Sequence, residues 1–325
     1  MDENNFSPLP SMISLVIPVF NEEKNLHALL KRIVPAMKGM DRPYEIIFVD
    51  DGSKDDSLRI LKTFVTHPEV KIIELTKNYG QHAAILAGFS IAKGSIIVTM
   101  DADLQNPPEE ISRMVKVMEE GDYDIVGTIR KKRHDSIFRK LPSKIINAVA
   151  RRIIKVNMSD WGCMLRAYRN KVVSHMIDCH EHGTFIPALA TIFAKRMTEI
   201  EVSHEERYGG ESHYRLGKLI NLQFDLVASF SDLPMRLLMY GGIIMSFTGI
   251  LFGTVLIVAR FMYGAHWAVY GVFTLFAILF VFMGLQFFAL GVIGEYIGRI
   301  YNEVRKRPEY IIERIYSADD SGGES

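Results

Sequence analysis

The sequence predicts an α/β domain with a mostly parallel sheet, followed by two transmembrane helices near the C-terminus. Short apolar runs rich in β-branched residues alternate with amphipathic helical patterns in the first part of the chain. Charged residues are dense as far as about residue 235, but none occurs between Arg236 and Arg260 or between Arg260 and Glu295. The 325 residues, 48% of them hydrophobic, are enough for two domains.

Five apolar runs predict the strands of the α/β domain. They are ISLVIPVF (13–20), EIIFVDD (45–51), VKIIEL (70–75), SIIVTMDAD (95–103) and YDIVGT (123–128). The helical patterns between them are NLHALLKRIVPAM, SLRILKTFV, AAILAGFSIA and EEISRMVKVMEE. Strands that alternate with amphipathic helices predict a parallel sheet with helices on both faces. Such sheets bind ligands at the carboxyl ends of their strands, so the functional site is expected there.

Polar side chains, most of them acidic, stand at these strand ends. Asn21 and Glu22 follow the first strand, Asp50 and Asp51 end the second, the string TKNYGQH follows the third, and DADLQ ends the fourth. The sequence contains no G-x-G-x-x-G fingerprint and no Walker A motif. A dehydrogenase and a P-loop enzyme are therefore disfavoured.

The DADLQ string predicts a metal site. Asp101, Asp103 and Gln105 alternate, so in an extended chain they share one face. Two carboxylates this close repel each other unless a positive charge lies between them. Carboxylate and amide oxygens are hard ligands that suit Mg²⁺ or Mn²⁺.

The rest of this stretch, NPPEE, predicts the start of a helix. Asn106 is a good N-cap, Pro107 suits the first turn, and Glu109 stands three residues after the cap. An EF-hand loop is excluded, because its sixth position is Asn106 rather than glycine and its twelfth is Ser112 rather than glutamate.

Two uncharged segments, Leu237–Ala259 and Val269–Ile293, are long enough to cross a bilayer core of about 30 Å. The alternative is a pair of buried core helices. The connection between the segments carries one basic residue, Arg260. The outer flanks carry Arg236, Arg299, Arg305, Lys306 and Arg307. The positive-inside rule therefore places both termini and the large N-terminal domain in the cytoplasm.

Composition and short strings limit the binding partners and the classes of protein that the sequence allows. Lys+Arg and Asp+Glu are equal at 38 each, so the net charge does not suggest nucleic acid. Cys163 and Cys179 do not make a disulfide framework, and the polar N-terminus lacks the features of a signal peptide. The string HMIDCHEH matches no standard zinc spacing. Residues 137–156 alternate apolar and basic side chains, a pattern that by itself favours an ordinary solvated helix. The two membrane spans that follow reverse this preference and favour a helix on an anionic membrane surface.

The strings SLVIPVFNEEKNL, FVDDGSKDDS, NYGQHAAILAGF and DADLQNPPEE together resemble the inverting family-2 glycosyltransferases of GT-A fold. GCMLRAY, TFIPALA, GES and GEYIGRIYNEVRKRP narrow the resemblance to the polyprenyl-phosphate sugar transferases. It runs from about residue 12 to residue 311. It implies a UDP-sugar donor and a lipid phosphate acceptor.

The resemblance also implies roles for individual residues. The nucleotide positions are Pro18, Phe20, Asn21, Glu22, Asp50 and Asp51, with Lys77, Gly80, Gln81 and Ala102 beside them. Asp101, Asp103 and Gln105 match the metal ligands for Mg²⁺ or Mn²⁺, and Asp103 is central to catalysis. Arg130, Arg139, Ser143 and Arg207 are expected to hold the lipid phosphate. Asp160 is expected to contact the sugar or to act as a base.

Within this family, we expect transfer of 4-deoxy-4-formamido-L-arabinose from UDP to undecaprenyl phosphate, for lipid A modification and polymyxin resistance. One alternative is transfer of glucose or another hexose for O-antigen modification, and another is a membrane scaffold with a decayed transferase domain. The expected location is the bacterial inner membrane, as a multi-pass homotetramer. The expected divisions are a nucleotide-sugar half (1–130), an acceptor and interface region (131–235), two spans (236–296) and a cytoplasmic tail (297–325).

Overall fold

The computed structural model describes residues 9–130, 163–179, 185–203, 233–263, 272–304 and 308–318. The chain forms two compact units. The first comprises Met1–Arg215 and Pro308–Ser325, and the second comprises Leu216–Arg307. The interfacial helix predicted for residues 137–156 lies outside the described residues.

The first unit is built on a sheet to which the described residues contribute eight strands. The strands are β1 (Leu9–Val19), β2 (Tyr44–Asp50), β3 (Val70–Leu75), β4 (Gly94–Thr99), β5 (Ile125–Arg130), β6 (Arg166–Arg169), β7 (Met197–Val202) and β8 (Ile312–Tyr316). Their order is β7-β5-β6-β4-β1-β2-β3-β8. β6 runs antiparallel to β4 and β5, and β8 runs antiparallel to β3, whereas the remaining pairs are parallel. The predicted mostly parallel sheet is confirmed.

Helices cover both faces of this sheet. They are α1 (Leu26–Lys38), α2 (Ser57–Thr63), α3 (Gln81–Ile91), α4 (Glu110–Glu120), α5 (Asn170–Asp178) and α6 (Ile186–Phe193). Ile13, Leu15 and Ile17 of β1 pack with α1, α2 and α4, while Val16 packs with α3, α5 and α6. The odd-and-even division along β1 is the two-residue period of a strand buried on both faces.

The last strand, β8, was not predicted from the sequence. It lies within residues 297–325, which were expected to form a cytoplasmic tail, and it pairs with the edge strand β3. The Tyr316 hydroxyl donates a hydrogen bond to the Glu74 carboxylate, and the Thr76 amide donates to the Ile311 carbonyl at 3.1 Å. The chain therefore returns to the first unit after its apolar segments and covers an otherwise open edge of the sheet.

The second unit contains two long helices, α7 (Leu233–Tyr263) and α8 (Val272–Val304). Leu238–Val255 and Val281–Gly298 have mean hydropathies of 1.6 and 1.5. By length and composition, both helices are able to cross a membrane. Phe247, Phe261 and Phe287 are exposed. Among the described side chains of the two apolar windows none is buried, which argues against the alternative of core helices.

Candidate active site

The candidate site lies at the carboxyl ends of β4, β1, β2 and β3, which are adjacent and parallel. The chain passes from β1 outward to β2 and β3, and then returns to the other side of β1 as β4. The order of strands therefore reverses between β1 and β4. A parallel sheet opens a crevice at such a reversal, and ligands bind there. The polar strings identified in the sequence follow these four strands.

Hydrogen bonds join the loop after β1 to the loop after β2. The backbone amide of Asn21 donates to Ser53 Oγ at 3.0 Å, and the backbone amide of Lys54 donates to Asn21 Oδ1 at 2.7 Å. The Glu22 amide donates to Ser57 Oγ at 2.8 Å. Asn21 therefore shapes the wall of the crevice with its own side chain. The string GSKDDS supplies both serines, but its spacing alone did not reveal these contacts.

Asp50 and Asp51 lie at the end of β2 and are almost completely buried, with exposures of 1% and 2%. The Asp51 carboxylate accepts the Tyr79 amide at 2.7 Å and the Gly80 amide at 2.9 Å. Asp50 accepts the Ser53 amide at 3.2 Å, and its Oδ1 has no hydrogen-bonding partner among the described residues. Burial is the main cause that raises the pKa of both carboxyl groups above the ordinary value.

Gly52 allows the loops after β2 and β3 to approach closely. Its φ of +67° is in the left-handed region, and a Cβ there would lie 2.6 Å from the backbone carbon of Lys77. Lys77 is exposed, and its Nζ lies 5.1 Å from the centre of the Tyr79 ring. The two loops therefore form one continuous wall.

The acidic loop, which we define as residues 101–106, follows β4. The prediction that the strand continues to Asp103 is wrong, because β4 ends at Thr99. Asp101, Asp103 and Gln105 are nevertheless partly exposed, whereas Ala102 and Leu104 are buried in the core. A turn with Leu104 at a φ of +61° produces this alternation. The apolar side chains anchor the loop, and the polar ones share its outer side.

Hydrogen bonds orient both acids of this loop. Gln81, the first residue of α3, donates from Nε2 to Asp101 Oδ1 at 2.6 Å. The backbone amide of Gln105 donates to Asp103 Oδ1 at 3.1 Å. Among the described residues there is no group of three or more His, Cys, Asp or Glu side chains placed to hold a metal. Two carboxylates supported by amides nevertheless fit Mg²⁺ or Mn²⁺, which commonly use one or two carboxylates and take their other ligands from substrate phosphates and water.

The prediction that Asn106 caps the following helix is wrong. α4 begins at Glu110, and its N-cap residue, Glu109, makes no side-chain capping bond. A turn intervenes, in which the Glu110 amide donates to the Pro107 carbonyl at 3.2 Å. Asn106 is instead buried and accepts a hydrogen bond from Cys163. A tertiary contact has replaced the local one.

The remaining predicted residues are placed as follows. Pro18 pairs in register with Val49 near the end of β1, and Phe20, the residue that follows β1, is exposed. Arg130 is the last residue of β5. Arg139, Ser143, Asp160 and Arg207 lie outside the described residues.

His82 adjoins Gln81 and packs edge-on against Phe185, with ring centres 5.1 Å apart. Its Nδ1 is buried without a hydrogen-bonding partner among the described residues, and burial lowers its pKa from 6.5 to about 4. The unfolded chain then takes up this proton at higher pH than the folded chain does. We expect the free energy of unfolding to fall by about 3 kcal/mol as the pH falls from 6.5 to 4.

Thermal unfolding of the full chain in detergent across this pH range measures the loss. His82→Gln should flatten the pH dependence, whereas the same change at the exposed His27 should leave it as in the wild type. An unchanged slope in His82→Gln would contradict the assignment of the acid sensitivity to His82.

Comparison with known proteins agrees with this architecture. The sequence profile of glycosyl transferase family 2 matches residues 14–179. The chain belongs to glycosyl transferase family 2. It is 51% identical over 311 residues, 95% of each chain, to undecaprenyl-phosphate 4-deoxy-4-formamido-L-arabinose transferase of Yersinia enterocolitica serotype O:8. It is 52% identical over 305 residues to the protein of the same name from Photorhabdus laumondii, covering 93% of this chain and 94% of the relative.

Among solved structures, the chain resembles glucosyl-3-phosphoglycerate synthase from Mycobacterium tuberculosis in complex with Mn²⁺, UDP-glucose and phosphoglyceric acid. The TM-score is 0.50 at 16% sequence identity, over 67% of this chain and 78% of the other. At this identity the likeness concerns the fold alone. Together with the family match, it confirms the predicted GT-A fold class.

Proposed function

We propose that the protein transfers 4-deoxy-4-formamido-L-arabinose from UDP to undecaprenyl phosphate, with inversion at the anomeric carbon. The observation that carries this proposal is the identity of about 50% to transferases of that name over 93% to 95% of the chain. The crevice supports it, because acids stand at the strand ends where the family binds a nucleotide. An intact, hydrogen-bonded acidic loop argues against a decayed transferase domain.

The donor nucleotide would occupy the wall formed by the loops after β1, β2 and β3. Pro18, Phe20, Asn21 and Glu22 would line its first side, and Asp50 and Asp51, which are buried where β2 ends, would lie at its base. Asp51 holds the loop that carries Lys77 and Gly80, so this carboxylate shapes the wall. Asp50 Oδ1, which has no hydrogen-bonding partner among the described residues, would give the base of the wall a buried acceptor for a donor group of the nucleotide.

Asp101, Asp103 and Gln105 would hold a divalent ion, Mg²⁺ or Mn²⁺, with Ala102 beneath them. When bound, the ion supplies Lewis-acid stabilisation of the negative charge on the departing diphosphate. The protein's own part is to set the direction of the carboxylates. Gln81 does so for Asp101, and the Gln105 amide does so for Asp103.

The acceptor phosphate needs no general base. A phosphate monoester has its second pKa near 6, so it is largely a dianion at about pH 7. One of its oxygens would form a bond to the anomeric carbon on the face opposite UDP, while the bond to the diphosphate oxygen breaks and UDP leaves. Arg130, Arg139, Ser143 and Arg207 would hold this dianion in line, and Asp160 would contact the sugar.

The acceptor lipid sets the location. The two apolar helices and the basic flanks support a bacterial inner-membrane protein with the catalytic domain and both termini in the cytoplasm. The expected product serves lipid A modification and resistance to polymyxin. The resemblance to the polyprenyl-phosphate sugar transferases leads us to expect a homotetramer.

A donor panel tests the proposal. The full chain, purified in detergent, is incubated with undecaprenyl phosphate, Mn²⁺ or Mg²⁺, and one of several UDP-sugars, and the glycolipid is identified by mass spectrometry. We expect transfer from UDP-4-deoxy-4-formamido-L-arabinose at least about 10-fold faster than from UDP-glucose, the discrimination expected of a few sugar contacts. Transfer of glucose alone would support the hexosyl alternative, and no turnover with any donor would support the scaffold.

A further inference from the structure

Buried polar contacts connect the acidic loop to the segment before β6. Asn106 directly follows Gln105 and is 4% exposed. Its Oδ1 accepts a hydrogen bond from the Cys163 thiol, with a distance of 3.6 Å between sulfur and oxygen. Cys163 itself is 1% exposed. A residue next to the candidate metal ligands is thus held by a thiol from a segment 57 positions later in the chain.

The thiol is in turn fixed by strand β5. Thr128 Oγ1 lies 2.9 Å from Cys163 Sγ and 2.8 Å from the Leu165 carbonyl oxygen. Because the thiol hydrogen is donated to Asn106, the single hydroxyl hydrogen of Thr128 is shared between Sγ and this carbonyl. Thr99, on the other strand that flanks β6, donates to the Met164 carbonyl at 2.6 Å. Residues 163–165 are therefore bound to β4 and β5 together, so Cys163 offers the acidic loop a fixed point.

The acidic loop needs such a fixed point. Leu104 has a φ of +61°, and a non-glycine residue in the left-handed region costs about 1–2 kcal/mol. At the far end of the loop, the N-cap residue of α4 makes no side-chain capping bond to the part of the chain that the structure describes. Its shape therefore depends on tertiary contacts, namely the packing of Ala102 and Leu104 and the buried Asn106.

We propose that Thr128, Cys163 and Asn106 form a buried hydrogen-bonded link that positions the acidic loop to bind a divalent ion. This inference rests on the metal role of the loop in the proposed function. The three are positioning residues, because they act through Asp101, Asp103 and Gln105. The hydrogen bonds named above join these three residues to one another rather than to the metal ligands. We therefore expect the loss of one of them to fall at the lower end of the about 10- to 100-fold weakening that follows loss of a group bonded directly to a metal ligand.

The link is tested by measuring how tightly Mn²⁺ binds to the full chain in detergent with saturating UDP. Binding is monitored as the loss of the electron paramagnetic resonance signal of free Mn²⁺. Cys163→Ala should weaken Mn²⁺ binding about 10-fold. Cys163→Ser, which keeps a donor hydrogen, should retain most of the affinity. Thr128→Val removes the hydroxyl group that contacts Cys163 and should also weaken Mn²⁺ binding. Cys179→Ala, at the exposed cysteine, is the matched control and should bind as the wild type does.

A double-mutant cycle separates the link from a general loss of packing. Cys163→Ala combined with Asn106→Ala should bind Mn²⁺ no more weakly than Asn106→Ala alone, because both changes break one connection. Melting temperatures without metal identify variants that fail to fold. Wild-type affinity in both Cys163→Ala and Thr128→Val, or strictly additive losses in the cycle, would overturn the proposal, as would a wild type that binds no Mn²⁺. A wild type that binds Mn²⁺ but transfers another sugar would instead overturn the proposed function and leave the link intact.

Discussion

Asp103→Asn should abolish metal-dependent sugar transfer and leave the fold unchanged. The asparagine keeps an oxygen that can accept the Gln105 amide, so the turn of the acidic loop is preserved. It removes the negative charge that we assign to the divalent ion. If that charge accounts for about 4 kcal/mol of transition-state stabilisation, the rate falls ~10³-fold. Initial rates over a Mn²⁺ titration measure the effect, and Asp103→Ala should lose as much activity or more.

Asp122→Asn provides a matched control for this substitution. Asp122 is exposed, lies between α4 and β5, and has a φ of +47°, a conformation that asparagine adopts readily. The same loss of charge there should leave transfer within about twofold of the wild type, as for most surface substitutions. Full activity in Asp103→Asn, with a normal response to Mn²⁺, would rule out the metal role of this residue.

The fold was predictable where local periodicity matches burial. The runs that became β1 to β5 are apolar on both faces, and α1 and α4 carry one apolar stripe each. β6, β7 and β8 were missed for a physical reason. β6 is a four-residue strand with a buried arginine, Arg166, whereas β7 and β8 are short strands at the two edges of the sheet, and each contains charged residues. All three pair with strands far away in the chain, so their local signals are weak.

The candidate site was predictable in its residue types but not in its contacts. The alternating acids predicted a shared face of an extended chain, whereas the structure shows an alternation of exposure in a loop that turns at Leu104. The string NPPEE has the composition of a helix cap. Asn106 nevertheless accepts a hydrogen bond from the distant Cys163 thiol, because its burial beside that residue outweighs local capping. The hydrogen bond from Gln81 to Asp101 joins the first residue of α3 to the acidic loop through the tertiary fold, and no rule of sequence spacing predicts it.

Asp51→Asn should weaken UDP binding almost as much as Asp51→Ala does. The wild-type carboxylate accepts two backbone amides, from Tyr79 and Gly80, one on each oxygen. An asparagine offers one oxygen and turns its own NH₂ group toward the second amide, so two donors face each other. One or two unsatisfied amides cost about 2 to 4 kcal/mol, and the loop that carries Lys77 is released from the wall.

If about 2 kcal/mol of that cost appears in donor binding, the dissociation constant for UDP rises roughly 30-fold. Calorimetric titration of the full chain in detergent measures the change, and thermal unfolding reports the accompanying loss of stability. Asp41→Asn is the control. Asp41 is exposed and lies in the turn before the amino end of β2, whereas Asp51 lies at the carboxyl end of the same strand. Wild-type UDP affinity in Asp51→Asn would show that the loop keeps its position without this carboxylate. Weak binding in Asp51→Ala together with wild-type binding in Asp51→Asn would mean that one accepted amide is enough to hold the wall.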